Sequence, residues 1–272
     1  MIVWKVDWQE TWRALGETNV IILGLVFAGM ILNVFSSTLK WKIILSIHGI
    51  KFPFNQLCKY YFTSSFFNNF LPSTIGGDGY RIYKIYKNPV SKAGAIASVL
   101  VERITGIAAL LFLGYIGAIV GYIKTGNEIS WVVVSSGTIG VLALMVSIPI
   151  FRFKYGLIKR WAEKILPERY QRFTFLLDDY RRNYRKVTMV ILLSLSFQIF
   201  LIFYRMLLIH AVGATISLAD LAVVIALSTI VALAPVSING LGLLDGSYIY
   251  LLTQFNVGYE QAFIVMILIR LL

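Results

Sequence analysis

The chain is predicted to be an all-α polytopic integral membrane protein made of two inverted repeats, each with a re-entrant broken-helix hairpin. Three observations predict this. Hydrophobic residues make up 58% of the 272 residues and charged residues 14%, whereas about a quarter of a soluble domain is charged. One constellation of residues occurs twice at matched spacing. The basic residues are gathered into a few loops, and this orients the segments between them by the positive-inside rule.

Taken in order, apolar runs long enough to cross roughly 30 Å of hydrocarbon fall at about 19–36, 104–123, 131–151 and 187–210. Shorter or interrupted runs fall at about 54–71, 219–234 and 243–254, and a last one begins near 259. Met1 to Thr18 is of mixed charge without an apolar core, so no cleavable signal peptide is expected. Lys40, Lys42 and Lys51 mark 37–53 as a cytoplasmic loop, and Arg81, Lys84, Lys87 and Lys92 mark 79–92 likewise. Two cytoplasmic loops then flank 54–71, so that segment is expected to dip in and return. Residues 152–186 carry 11 Lys/Arg against four Asp/Glu. Interleaved Trp161, Ile165, Leu166, Phe173, Phe175 and Leu176 make this linker one or two amphipathic helices on an anionic cytoplasmic leaflet. No Lys or Arg occurs between Met206 and Ile269, while Asp220, Asp245 and Glu260 do. The segment 219–240 is therefore expected to be a second hairpin, entering from the opposite face.

The repeated constellation begins with Trp41-Lys42 and Tyr204-Arg205. It continues with Pro72-Ser73-Thr74-Ile75-Gly76-Gly77 and Pro235-Val236-Ser237-Ile238-Asn239-Gly240, and ends with Asp78-Gly79 to Arg103 and Asp245-Gly246 to Arg270. Lys42 to Pro72 and Arg205 to Pro235 are both 30 residues; Asp78 to Arg103 and Asp245 to Arg270 are both 25. The stretch between Gly and Asp differs by four residues. Matched apolar segments broken by Pro and Gly point to a transport site at a repeat interface. The domain expected is one membrane unit over 1–272: repeat 1 at about 19–123, the basic linker at about 152–186, and repeat 2 at about 187–272.

Each break has a physical reading. Pro72 and Pro235 lack an N–H, and Gly76, Gly77, Gly79, Gly240, Gly242 and Gly246 favour turns, so neither stretch continues as helix. Unpaired backbone at membrane depth must face protein or a watery cavity, and exposed N–H groups at a helix start attract anions. The competing reading makes Asp78 and Asp245 ordinary helix caps. Asn68 and Asn69 either cap the first hairpin or contact substrate. Glu102-Arg103 places adjacent charges inside an apolar run, where such residues line a cavity or pair together; interfacial placement is the alternative. Arg103 suits a phosphate or carboxylate through its forked donors. Arg205 and Lys42 are read as snorkelling toward opposite headgroup regions.

Several classes are excluded. His48 and His210 have no carboxylate or thiolate at ligand spacing, so neither a metal site nor a cofactor is expected. Cys58 is the single cysteine and reads as a small buried residue. G-x-S-x-G, Walker A, H-E-x-x-H and C-x-x-C are absent. The net charge of +12 sits where an anionic lipid surface accounts for it, so nucleic acid is not an expected partner.

Leu71-Pro72 with Gly76-Gly77-Asp78 and Arg81, then Glu102-Arg103-Ile104-Thr105-Gly106, then Gly240-Leu241-Gly242-Leu243-Leu244-Asp245-Gly246 resemble the lysylphosphatidylglycerol synthase transmembrane region. This flippase-like domain is shared by multiple-peptide-resistance lipid flippases, and the resemblance runs over nearly the whole chain. It implies movement of a phospholipid or lipid-linked headgroup between leaflets of a bacterial or archaeal cell membrane. The matching positions are Gly76, Gly77, Asp78, Arg81, Glu102, Arg103, Gly240, Gly242 and Asp245; Asn239 joins them as a candidate from the repeat. Family members usually carry a further helix before Val20 and more membrane helix after Arg270, so the chain is expected to be shortened there. The aminoacyl-transferase domain of bifunctional members is not seen, so synthesis of lysyl-lipid is not expected. The alternative role is a membrane partner of a polyprenyl-phosphate glycosyltransferase, or of lysyl-lipid synthesis, with no transport of its own. A lipid-modifying enzyme using the Asp and Glu residues is a third. Another copy of the chain is also a compatible partner.

Overall fold

The computed structural model describes residues 20–68, 76–86, 92–140, 167–233 and 241–271, and every regular element among them is a helix. The helices are α1 (Val20–Ile47), α2 (Phe54–Asn68), α3 (Gly76–Tyr86), α4 (Lys92–Thr125), α5 (128–140), α6 (Pro167–Arg182), α7 (Tyr184–Ala211), α8 (Leu218–Ala232), α9 (Leu243–Gln254) and α10 (Tyr259–Leu271). The fold is that of an all-α polytopic membrane protein. Among the described residues, three helices are long and apolar enough to cross a bilayer: Ile21–Ile47, Lys92–Thr125 and Tyr184–Ala211. At 1.5 Å per residue, the 34 residues of α4 extend about 51 Å. Large apolar side chains such as Ile21, Leu25, Ile104, Phe112, Leu192 and Ile199 point outward, as lipid contact requires.

The run predicted at 19–36 continues as helix to Ile47. Gly49 ends it in the left-handed region at φ 73°. The Ile50 and Gly49 amides then donate to the Leu45 and Ser46 carbonyls at 3.0 and 3.3 Å, a Schellman closure. α7 ends in the same way at Gly213, with φ 76°. This corrects the expected 37–53 loop. Lys40 and Lys42 lie on α1, and Lys40 is 5% exposed. Arg81, also read as a loop marker, is buried on α3. Two of the charges used to place loops are therefore inside the protein.

α2 and α3 pack on one another. With 15 and 11 residues they extend about 22 and 16 Å, less than a bilayer core. Tyr60 meets Tyr80 and Lys84, Phe67 meets Tyr80, and Asn68 bonds Gly77. The two helices therefore run antiparallel.

α1 lies along α7, and α4 along α8. The α4–α8 seam is close because Gly114 and Gly117 stand where any Cβ would strike α8; one at Gly114 would be 2.5 Å from the Ala226 Cβ. Two apolar cores result. The larger unites α7 to α10 around Leu221, Tyr248, Leu252 and Ile264. The smaller, around Trp41, Leu57, Ile85 and Val99, joins α1 to α4.

On the basic linker, α6 is tied to the end of α1. His48 Nδ1 is 3.1 Å from Asp179 Oδ2, and its Nε2 is 2.8 Å from the Tyr180 hydroxyl. Burial and the neighbouring Asp179 carboxylate push the Tyr180 hydroxyl up to about 12. His48, expected to be isolated, thus has a carboxylate partner 131 residues away.

Candidate functional site

Between the two cores lies a cluster of ions. Asp78, in the first turn of α3, pairs with Arg81 one turn on and with Arg103 on α4. Arg81 Nη1 donates to Glu102 Oε2 at 2.6 Å, and the Tyr61 hydroxyl donates to Glu102 Oε1 at 3.0 Å. The Arg81 guanidinium also sits 5.1 Å from the Trp41 ring centre and 4.6 Å from that of Tyr61, close enough for cation–π attraction. Trp41 is held by its indole N–H, which donates to Ser98 at 3.1 Å. Asp78, Arg81 and Glu102 are buried, while Arg103 keeps 27% of its side chain accessible. A buried ion is tolerable when its charge is matched; here two carboxylates face the two arginines, while Arg81 Nε has no hydrogen-bond partner among the described residues.

Lys40 completes the cluster. Its ammonium donates to the Glu102 carbonyl oxygen at 3.3 Å and stands 5.7 Å from the Phe197 ring centre. Sequence reading missed Lys40 as a site residue because a lysine beside an apolar run looks like a loop marker. Gln198 was missed too; its amide donates to the Gly106 carbonyl at 3.0 Å.

These residues line a cavity of about 300 Å³ whose walls come from α1, α2, α3, α4, α7 and the end of α8. A second cavity of about 710 Å³, lined by Phe27, Met30, Ile31, Phe62 and Leu201 and also by Asn33 and Arg270, adjoins it. Ser37, Tyr61, Ser65 and Phe197 line both.

The second constellation forms the matching ion pair. Arg270 donates to Asp245 Oδ1 from Nε at 3.0 Å and from Nη2 at 2.8 Å. Asp245 also accepts from the Gly242 amide at 3.0 Å, so here the capping reading holds beside the ion pair. The Arg205 guanidinium lies 5.5 Å from the ring centre of buried Tyr248, which replaces the snorkelling expected of it. Counted by the same spacings, Arg81 corresponds to Tyr248, Glu102 to Ile269 and Lys40 to Phe203. The Asp–Arg pair is common to both halves; the rest of the ion lattice belongs to the first.

Of the expected site residues, Asp78, Arg81, Glu102 and Arg103 come together, and Gly106 joins them. Gly76 begins α3. Gly77 serves packing: its amide is taken by Asn68 Oδ1 at 2.8 Å, which settles the capping role for Asn68. A Cβ at Gly77 would meet Ser64 Oγ at 2.6 Å and Asn68 Oδ1 at 2.7 Å, with the Ser64 carbonyl nearer still. Gly77→Ala is expected to separate α2 from α3 and lower stability by about 1–3 kcal/mol. Gly79→Ala, with nothing within 4 Å of its Cβ position, is the control that leaves the melting point unchanged or raised. Equal melting points for the two variants would contradict the packing role. Pro72, Asn69, Pro235, Asn239 and Gly240 lie outside the described residues.

Over 278 aligned residues the chain is 25% identical to a UPF0104 membrane protein of Methanocaldococcus jannaschii, covering 95% of this chain and 82% of that one. No solved structure matches it. The match to the lysylphosphatidylglycerol synthase TM region runs over residues 1–272, and the chain belongs to that family.

Proposed function

We propose that the protein moves a phospholipid or lipid-linked headgroup, such as that of lysylphosphatidylglycerol, between the leaflets of the cell membrane. One observation carries this reading: an ion-lined cavity adjoins a larger one, walled in part by Phe27, Met30, Ile31, Phe62 and Leu201, within a bundle of membrane helices. That is the shape of an amphiphile's site, with the headgroup among the charges and an acyl chain along those apolar side chains. The Asp78–Arg103 and Asp245–Arg270 pairs, each 25 residues apart, support two repeats. The short antiparallel α2 and α3 support a re-entrant hairpin. Family membership supports a lipid-related role.

Arg103 is the guanidinium of the lattice most open to the cavity. Arg103→Ala is expected to abolish headgroup movement while leaving folded protein. The measurement is leaflet sidedness in liposomes, with dithionite-quenchable lipids and purified protein. Unchanged exchange in Arg103→Ala would contradict this site. No exchange of any lipid by folded wild-type protein would favour the role of partner to a membrane glycosyltransferase.

A further inference from the structure

The ion lattice does not balance. The cavity is lined by three cations, Lys40, Arg81 and Arg103, and two carboxylates, Asp78 and Glu102. Both carboxylates are engaged by the two arginines. Among the described residues no carboxylate pairs directly with Lys40; it feels the Glu102 carboxylate through space, and one backbone carbonyl and a ring edge the ammonium. An ammonium carries three donors, so two remain for another acceptor. Keeping such a charge 5% exposed is unfavourable unless something compensates it.

Near it, on the same side of Gly106, Gln198 is 7% exposed, and its Oε1 has no hydrogen-bond partner among the described residues. Its amide is already committed to the Gly106 carbonyl, which fixes which end of the side chain is left over. Leaving a buried carbonyl without a donor is unfavourable. Both groups line the same cavity. One lacks an anion and the other lacks a donor.

We propose that Lys40 and Gln198 set headgroup specificity. Lys40 receives the anionic oxygen of a phosphodiester, and Gln198 Oε1 accepts a hydrogen bond from a hydroxyl or ammonium on the same headgroup. This rests on the lipid-transport reading of the cavity. Arg81 and Arg103 are engaged by Asp78 and Glu102, while Lys40 supplies a further charge that meets the phosphodiester.

The test is binding to detergent-solubilised full chain by native mass spectrometry, with three probes of equal acyl composition. Phosphatidylglycerol has both the anion and the donors, phosphatidylmethanol has the anion alone, and diacylglycerol lacks the anion. Wild-type protein is expected to prefer them in that order. Lys40→Gln removes the charge yet keeps a donor for the Glu102 carbonyl. It should weaken both phosphodiesters at least tenfold, to the level of diacylglycerol, and Lys40→Arg should restore them. Gln198→Leu should bring phosphatidylglycerol down to phosphatidylmethanol and leave phosphatidylmethanol unchanged. Lys40→Met, which leaves two cations against two carboxylates, gives the same answer should Lys40→Gln fold poorly. Wild-type affinity for both phosphodiesters in the Lys40 variants would overturn the anion role. Equal loss of both in Gln198→Leu would overturn the donor role. Wild-type protein that does not separate phosphatidylglycerol from diacylglycerol would overturn the transport reading as well.

Discussion

Asp78→Asn is expected to be the most damaging charge change in the chain, lowering stability by about 3–5 kcal/mol. Asp78 is the hub of the lattice: one carboxylate serves both Arg81 and Arg103. The substitution preserves shape and removes only charge. Two guanidiniums and the Lys40 ammonium would then face the single carboxylate of Glu102. Arg81 cannot recover by moving to water, because its side chain is 5% exposed and boxed by Trp41 and Tyr61. The helices also lose a joint, since the Asp78–Arg103 pair is a direct bond between α3 and α4. Thermal melting followed by size-exclusion chromatography checks this. Asp78→Asn should melt well below wild type, and Asp78→Asn with Arg103→Gln should recover part of the loss, because it removes one of the two cations paired with that carboxylate. A wild-type melting point in the single variant would mean the lattice is not what holds the hairpin.

The second large effect is on activity. Gly106→Leu is expected to stop headgroup movement while leaving the fold intact. A Cβ at Gly106 would lie 3.7 Å from the Lys40 ammonium and 3.9 Å from the Gln198 amide, both ordinary contacts. Glycine inside a helix is also less favourable than leucine by somewhat under 1 kcal/mol. The backbone therefore accepts a Cβ, and the three further carbons of leucine must find room beside the cavity that Gly106 lines. The added isobutyl group projects into the 300 Å³ cavity between the two groups proposed to grip the headgroup. Gly106→Ala adds one methyl to the wall and should leave exchange measurable.

The pattern of what was legible follows from the range of each interaction. Helices are local, and a run of apolar residues announces them. Their ends were less legible, because α1 carries Lys40 and Lys42 past its apolar run. The Asp78–Arg103 and Asp245–Arg270 pairs were foreshadowed by equal spacing in the two halves, so a pattern stood in for a contact. The roles of Gly77 and Lys40 were not legible. Gly77 is required by the nearness of the Ser64 carbonyl on another helix, and Lys40 is buried by packing against a residue 62 positions on. Gln198 sat in a featureless apolar run and gave no signal beyond being an amide among hydrocarbons. That signal is usable, since a polar side chain at membrane depth asks for a partner. The same range argument explains His48, whose carboxylate comes from the far end of the basic linker.

Passage of a lipid headgroup through the ion-lined cavity is tested most directly by leaflet exchange in liposomes carrying wild-type, Gly106→Ala or Gly106→Leu protein at equal density. The probe is quenchable phosphatidylglycerol. Rapid exchange with wild type, retained in Gly106→Ala and reduced to the protein-free rate in Gly106→Leu, is the expected result. Wild-type exchange in Gly106→Leu, with the protein shown to be folded, would contradict passage of the headgroup through this cavity.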